Sequence, residues 1–413
     1  MKQLFMLLGI ISMLAGRLSA AEEGLIAHEW GSLNVAVGAE GALLDGLAVN
    51  QAELPDFVFR WSTVPVRVMM PVQKPILYFY SKKNVQVSVT VQMPKGLFSE
   101  WWPQVQQFGP EVPRQANQVV PPQNGLLTWN PVMVMADKPE DPKPRPAAEG
   151  TWYPILRDVD ANWLKVEGVD WRSGGMNGGT KYSELERFLL YRGPCTDTSV
   201  VKLQVTPLGN GKLKLRNAGT QALGKVLLID AAAGKGRLKA VDAPAPGAEV
   251  TVEISSEPEQ AFDALQKTGQ AQIVEWSMAA GLYKKEAEGM TKIWGPEWFA
   301  ETGLRAFYLL PREEIDKLIP LQIVPKPVES VRVMVACIEA LTPEREKEVA
   351  AWVAALKAED FDQREKSMRK LKDLGRLAEP VLRKLLEKSD DAEEKTRLDQ
   401  LIKWLNPTYR ASK

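Results

Sequence analysis

Apolar and polar residues alternate strictly over residues 84–93 (NVQVSVTVQM), and this pattern constrains the fold more than any other feature of the chain. Successive side chains of a β-strand point to opposite faces, so the alternating valines predict a strand with one buried and one solvent-facing side. The preceding residues 76–80 (ILYFY) are continuously apolar or aromatic. That run predicts a strand covered on both faces, and the N-terminal half is therefore predicted to be strand-rich.

A second group of short strands is predicted between residues 200 and 254. Apolar and polar residues alternate over residues 201–205, and Gly-Asn-Gly at 209–211 is a turn signal. A short apolar run at 226–229 predicts a buried strand. Short strands at this spacing, separated by Gly and Pro, predict an immunoglobulin-like segment over about residues 198–255.

Helical patterns follow this segment in two places. Ser256 and Glu259 have the spacing of a capping box, and they predict a helical insertion over about residues 256–295. At Thr342 the apolar period changes from two to about 3.6, and four short amphipathic stripes follow. Paired short helices of this kind are typical of HEAT-like repeats.

The length of 413 residues, with 45% hydrophobic and 25% charged residues, is compatible with two or three folded domains. The predicted fold class is mainly β and sandwich-like, with an all-α module at the C-terminus. The predicted domains are a β-rich body at residues 22–341, which includes the immunoglobulin-like segment and the helical insertion, and a helical HEAT-like module at residues 342–413.

Residues 1–21 have the features of a signal peptide. Lys2 supplies the positive start, residues 4–15 form an apolar run too short to cross a bilayer, and Ser-Ala-Ala at 19–21 supplies small residues for cleavage. The alternative is a buried N-terminal helix. The first interpretation predicts export to the periplasm or the extracellular space, with no transmembrane segment after cleavage.

The charge balance argues against one class of partner, although it does not exclude a local basic patch. Lys plus Arg and Asp plus Glu are equal, at 52 each, so the chain lacks the basic field of a dedicated nucleic-acid binder. The expected partner is a protein or a cell-envelope polymer. The ample apolar content makes a structural metal unnecessary, and no cofactor is predicted.

The chain has two cysteines, Cys195 and Cys337. In an oxidising compartment they can form a disulfide, but their separation in sequence does not indicate whether they meet. The alternative is two separate buried thiols.

His28 is the only histidine, so any histidine-dependent catalysis must use it, and a zinc site built on several histidines is impossible within one chain. The adjacent Glu29 is the other weak catalytic candidate. In a strand the two side chains point to opposite faces, which makes them a poor joint metal site. Ile26 and Trp30 share the face of His28. This setting favours a structural histidine bonded to a backbone carbonyl.

The chain contains 13 tryptophans, and Trp101 and Trp102 are adjacent. Exposed indole rings can stack on sugars, so these two residues are weak candidates for carbohydrate binding. The alternative, which we favour, is that large aromatic side chains fill the core of a sandwich.

Several motifs in order resemble a family of exported proteins from Gram-negative environmental bacteria that open with His-Glu-Trp-Gly-Thr. They are AHEWGSL at 27–33, KPILYFYS at 74–81, FLLYRG at 188–193, GLYKKEAEGM at 281–290 and the stretch 298–342. Ser32 stands where the family has Thr. The resemblance implies export and a shared fold, and it implies no reaction. The tail is separately similar to a short HEAT-like repeat, which implies protein interaction.

The sequence therefore favours a non-catalytic exported protein that binds a protein or a polymer of the cell envelope. One alternative is a hydrolase or metal-dependent enzyme that uses His28, and another is a carbohydrate-binding protein that uses exposed tryptophan. An open pocket that contains His28 and nearby carboxylates favours the enzyme. A buried histidine bonded to backbone favours the binding protein.

Overall fold

The computed structural model describes residues 24–44, 57–60, 70–110, 123–146, 151–170, 179–232, 234–300 and 302–405. The predicted signal peptide lies outside these residues. The described part is mainly β, with three sheets and a C-terminal helical region, as the sequence predicts at this coarse level. Within it, no helix is both long enough and apolar enough to cross a membrane.

The strands are β1 (Ile26–Val37), β2 (Leu43–Leu44), β3 (Phe59–Arg60), β4 (Met70–Tyr80), β5 (Val85–Met93), β6 (Glu100–Trp102), β7 (Gln107–Gly109), β8 (Gly125–Met135), β9 (Trp163–Asp170), β10 (Thr180–Glu186), β11 (Leu189–Cys195), β12 (Leu203–Gly209), β13 (Lys212–Asn217), β14 (Lys225–Ala232), β15 (Lys235–Asp242), β16 (Glu249–Glu253), β17 (Gln260–Ala261), β18 (Gly303–Leu309), β19 (Leu321–Val324) and β20 (Glu329–Ala340).

The helices are α1 (Tyr153–Arg157), α2 (Phe262–Ala279), α3 (Lys284–Gly295), α4 (Arg312–Leu318), α5 (Pro343–Ala355), α6 (Phe361–Leu374), α7 (Glu379–Lys388) and α8 (Ala392–Leu405). Short helical turns occur at Thr198–Val200, Pro296–Ala300 and Gly375–Ala378.

The described strands form three sheets. The largest has eleven strands in the order β17-β15-β14-β18-β20-β1-β4-β11-β6-β3, with β2 paired to β1. A six-stranded sheet has the order β10-β9-β8-β5-β19, with β7 paired to β8. The third sheet has the order β12-β13-β16.

The large sheet is the middle layer of the body. One apolar core lies between this sheet and the six-stranded sheet, and it includes Val87, Val89 and Val91 of β5. A second core lies on the opposite face, where α2 and α3 cover the sheet. The alternation predicted for β5 is confirmed, because these valines are buried and the residues between them are more exposed.

Strand β1 lies near the middle of the large sheet, and all twelve of its residues are buried. It pairs in parallel with β20 and antiparallel with β4. Because both faces are covered, the polar side chains of β1 must find partners on neighbouring elements. His28 and Glu29 are two of these buried polar residues.

The strands of residues 198–255 divide between two sheets. β12, β13 and β16 form the three-stranded sheet, whereas β14 and β15 extend one side of the large sheet. The predicted helical insertion contains α2 and α3, but α2 begins at Phe262 rather than at Ser256. Ser256 lies in a turn, where its hydroxyl donates to the Glu253 carbonyl over 3.3 Å, so its capping-box signal was wrong.

The C-terminal helices have an apolar core of their own, which includes Val349, Leu371 and Ile402. Thr342 caps α5, as the sequence predicts, and its hydroxyl accepts from the Arg345 backbone N–H over 3.2 Å.

Two carboxylates of α5 bond to loops of the body. Glu344 accepts from the Asn210 backbone N–H over 3.0 Å, and Glu346 accepts from the Ala39 backbone N–H over 3.3 Å.

The possible disulfide between Cys195 and Cys337 is wrong. Both cysteines are buried, and they form no disulfide with each other. Cys337 lies on β20 and Cys195 on β11, which are separated by β1 and β4. Three strand spacings amount to about 14 Å, and a disulfide requires Cα atoms within about 7 Å. The two residues also belong to cores on opposite faces of the sheet, so the alternative of two separate buried thiols holds.

Candidate functional site

His28 lies at the centre of a buried polar network. Its Nδ1 is 2.8 Å from Oε2 of Glu286, and the two side chains are fully buried. The other carboxylate oxygen of Glu286 accepts from the Tyr80 hydroxyl over 2.8 Å. The network joins β1, β4 and α3, and so ties the helical layer to the middle of the sheet.

Glu286 occupies this place because of the local geometry of α3. It is the third residue of the helix, and its Oε2 also accepts from the backbone N–H of Tyr283 over 2.7 Å. This bond satisfies one of the free N–H groups at the helix start. Burial, with the charge of Glu286, raises the pKa of Tyr80 well above its usual value. The phenol therefore stays protonated and donates.

The bond to Glu286 determines which nitrogen of the His28 ring donates. A carboxylate oxygen accepts, so Nδ1 carries the proton, and Nε2 in the neutral ring carries a lone pair. Nε2 is buried and has no hydrogen-bond partner among the described residues. The Tyr283 ring packs against the imidazole, with its centroid 4.5 Å from that of His28, and the Tyr283 residue is 43% exposed.

The prediction that His28 bonds to a backbone carbonyl was wrong, because its partner is a carboxylate from the helical layer. The surroundings of His28 meet one criterion for an enzyme and one criterion for a binding protein. The partner is acidic, as in a catalytic dyad, yet the ring is closed off from solvent. The arrangement can hold a proton at Nδ1 and position the helix.

Glu29 faces the opposite side of β1, as the sequence predicts. It accepts from the Arg332 guanidinium, and this guanidinium also donates to Asp316 over 2.7 Å. Arg332 and Glu29 are both buried. Burial is the largest single influence on the pKa of Arg332, and it lowers this pKa. The nearby charges of Glu29 and Asp316 nevertheless raise the pKa of Arg332. Glu29 and Arg332 neutralise each other's buried charge. Their hydrogen-bond partners differ from the partner of His28.

Trp101 and Trp102 do not form an exposed platform, so the carbohydrate prediction on these residues was wrong. Both are buried in β6. Phe59 stacks on Trp101 with ring centroids 4.0 Å apart. The Trp102 indole donates to Glu186 over 3.0 Å. Their faces are already occupied by the protein, as the alternative interpretation predicts.

A second polar cluster surrounds Glu186, and no sequence pattern predicted it. Arg157 donates to both oxygens of Glu186, over 2.8 and 2.6 Å. Glu184, two residues earlier on β10, accepts from the Gln104 backbone N–H over 2.8 Å. Burial raises the pKa of Glu184, and the nearby Glu186 adds to this rise. The sequence does place two acidic residues at alternate positions of one strand, which was a possible signal of this cluster. It does not show that they are buried, because their burial depends on α1.

The described residues contain no group of three or more His, Cys, Asp or Glu side chains arranged to hold a metal ion. His28 has one carboxylate partner, and Glu29 lies on the other face of the strand.

No protein-family model matches the chain, and the comparison with curated proteins finds no match. Among solved structures, the chain is similar to the mu-homology domain of Fcho1 from Danio rerio with bound Eps15 peptide. The identity is 8%, the coverage is 78% of this chain and 99% of that chain, and the TM-score is 0.29. The yeast delta-COP-I mu-homology domain gives 8% identity, coverage of 77% and 95%, and a TM-score of 0.26. Structural similarities this weak do not indicate a function.

Proposed function

We propose that the chain is an exported, non-catalytic protein that binds another protein through its C-terminal helices. One observation carries this proposal. The helices bury an apolar core of their own, yet Phe361 at the start of α6 is 63% exposed and Trp404 near the end of α8 is 53% exposed. Large aromatic side chains left outside a complete core are typical anchors of protein interfaces.

A cationic side chain lies beside each of the two aromatic rings. The Arg364 guanidinium lies 5.6 Å from the Phe361 ring centroid, and the Lys372 ammonium lies 5.0 Å from the Trp404 centroid. An apolar ring beside a cation fits a surface that offers both apolar and carboxylate groups. We propose that α5–α8 are HEAT-like helical pairs. A polymer of the cell envelope is the alternative partner.

Export is part of the proposal and rests on the apolar segment at residues 4–15 and on the resemblance to exported proteins. Protein purified from the secreted or periplasmic fraction should begin at Ala21 or Glu22. A soluble cytoplasmic protein that retains Met1 would contradict export. The immunoglobulin-like description of residues 198–255 stays a prediction.

A hydrolase or metal-dependent enzyme that uses His28 is the second candidate, and a specific observation favours it. Nδ1 of His28 is oriented by Glu286 over 2.8 Å while Nε2 has no partner, which is how a carboxylate orients a catalytic imidazole. This interpretation requires the buried imidazole to become accessible to a substrate. Stoichiometric zinc that disappears in His28→Gln, with the melting temperature retained, would support it over the binding proposal.

The binding proposal is tested by crosslinking in cells that export the full chain. We compare the wild-type chain with Phe361→Ala and Trp404→Ala, and we use Val250→Ala as a matched control because Val250 is an exposed apolar residue of the body. The proposal predicts a discrete adduct that both aromatic variants weaken by about tenfold and the control retains. An adduct pattern that is identical in all four proteins would contradict it.

A further inference from the structure

The hairpin between β12 and β13 has an Asn-Gly pair at its tip, Asn210 and Gly211. Both residues have positive φ, 51° at Asn210 and 70° at Gly211, as in the two-residue turns that commonly join antiparallel strands. Asn-Gly is also the dipeptide in which asparagine loses its amide most readily, because glycine has no side chain to shield its backbone nitrogen. The tip of this hairpin is therefore a candidate for deamidation.

The two groups that would react at this tip are not engaged elsewhere. Asn210 is exposed, and its side-chain amide has no hydrogen-bond partner among the described residues. The backbone N–H of Gly211 likewise donates to no carbonyl in the described part of the chain. The nitrogen that attacks and the amide that it attacks are therefore both available without breaking a hydrogen bond of either group.

A second Asn-Gly pair, Asn124 and Gly125, differs in this respect. Asn124 is also exposed and has a φ of 59°. The Gly125 N–H, however, donates to the Gly96 carbonyl over 2.9 Å, and Gly125 is buried at the start of β8. Attack by this nitrogen must first break that bond and move the strand, so the structure protects this pair. A third pair, at 177–178, lies outside the described residues.

Asn210 also contacts the C-terminal helices, where its backbone N–H donates to Oε1 of Glu344 over 3.0 Å. The approach is close, because a Cβ atom added to the preceding Gly209 would lie 2.4 Å from the same oxygen. The backbone N–H groups of Glu344 itself and of Asn210 lower the pKa of the Glu344 carboxyl. A negative charge created on residue 210 would therefore lie beside a carboxylate that is already ionised.

We propose that Asn210 is a deamidation site and that its conversion weakens the contact between the body and the C-terminal helices. The Gly211 nitrogen bonds to Cγ of Asn210, the Cγ–Nδ2 bond breaks, and the amide leaves as ammonia with the proton of the attacking nitrogen. Water then adds to one of the two imide carbonyls and opens the ring, which gives aspartate or isoaspartate. The new carboxylate repels Glu344. This inference does not depend on what the helices bind.

The reaction is tested by incubating the full chain in mildly alkaline buffer and mapping its peptides by mass spectrometry at successive times. In the folded chain Asn210 should convert about tenfold faster than Asn124, and in urea the two should convert at similar rates. The peptide that contains Asn177 is read separately. Equal rates at Asn210 and Asn124 in the folded chain, or no conversion of Asn210, would overturn the proposal.

The effect on the contact is measured by urea denaturation of Asn210→Asp at low ionic strength, where charges are least screened. This variant should have a lower urea midpoint than the wild type, and the loss should be smaller when Glu344→Gln is also present. Asn124→Asp makes the same change at the protected pair and should shift the midpoint equally with and without Glu344→Gln. An unchanged midpoint in Asn210→Asp, or an equal loss in both backgrounds, would overturn the proposed weakening.

Discussion

At the scale of single residues, the polar side chains of β1 are paired with groups from distant parts of the chain. His28 bonds to Glu286, which is 258 positions away, and Glu29 bonds to Arg332, 303 positions away. Strand alternation predicts that these two side chains face opposite ways. It contains no information about which helix or strand lies across from each of them, so the partners could not be predicted.

His28 is expected to contribute to stability. His28→Gln can keep one bond to Glu286 and should lower the free energy of unfolding by about 1 kcal/mol. His28→Leu leaves the buried carboxylate without this partner and should lower it by about 3 kcal/mol. Urea denaturation of both variants measures the difference, with Gln204→Leu at an exposed position of β12 as the control. Wild-type stability in His28→Leu would be incompatible with this role.

Glu184 predicts a pH dependence. Because burial raises its pKa in the folded chain, the unfolded chain loses this proton first as the pH rises from about 4.5. Ionisation of Glu184 therefore disfavours the folded state, and the effect is complete above the folded pKa. The stability of Glu184→Gln relative to the wild type should therefore increase as the pH rises from 4 to 7.

The measurement is urea denaturation at both pH values, with the exposed residue Glu249→Gln as the control for the substitution itself. A stability difference between Glu184→Gln and wild type that falls as the pH rises would show that the sign is wrong.

The two cysteines should be unreactive in the folded protein. Burial raises the pKa of Cys195 to about 11, so at pH 8 only about one thiol in a thousand is ionised. Cys337 is buried in the opposite core. Iodoacetamide should add no mass to the folded chain and two groups in urea without reductant. A requirement for reductant before alkylation would indicate a disulfide and contradict the fold.

At the scale of elements, the predictions succeed where one local pattern decides the structure. The alternating valines define β5, and the Thr-Pro pair at 342–343 defines the start of α5. They fail where two local signals compete. Ser256 has the spacing of a helix cap, but its hydroxyl bonds back to the Glu253 carbonyl at the end of β16, and the helix starts six residues later.

The C-terminal helices should be removable without unfolding the body. They have their own core, and their bonds to the body include those from Glu344 and Glu346. A chain that ends at residue 341 should keep a cooperative unfolding transition and lose less than about 2 kcal/mol. A chain that ends at residue 328 lacks the central strand β20 and should not fold. Loss of the transition in the first truncation would show that the helices belong to the main core.

At the scale of the whole molecule, the sequence predicts the composition of the layers but not their arrangement. It correctly indicates a mainly β body followed by helices. It does not predict that β14 and β15 join the large sheet while β12, β13 and β16 form the three-stranded sheet. Strand pairing depends on contacts between distant residues. It also cannot distinguish exposed from buried tryptophans, since Trp101 and Trp102 are covered by Phe59 and Phe57, which lie more than 40 positions earlier.

We propose that the C-terminal helices bind a partner and that His28 serves only to stabilise the body. Crosslinking in exporting cells at a temperature where His28→Gln remains folded tests both halves together. We expect His28→Gln to give the wild-type yield of the adduct and Trp404→Ala to reduce the yield by about tenfold. Loss of the adduct in folded His28→Gln, with retention in Trp404→Ala, would show instead that His28 takes part in binding and that the C-terminal helices do not.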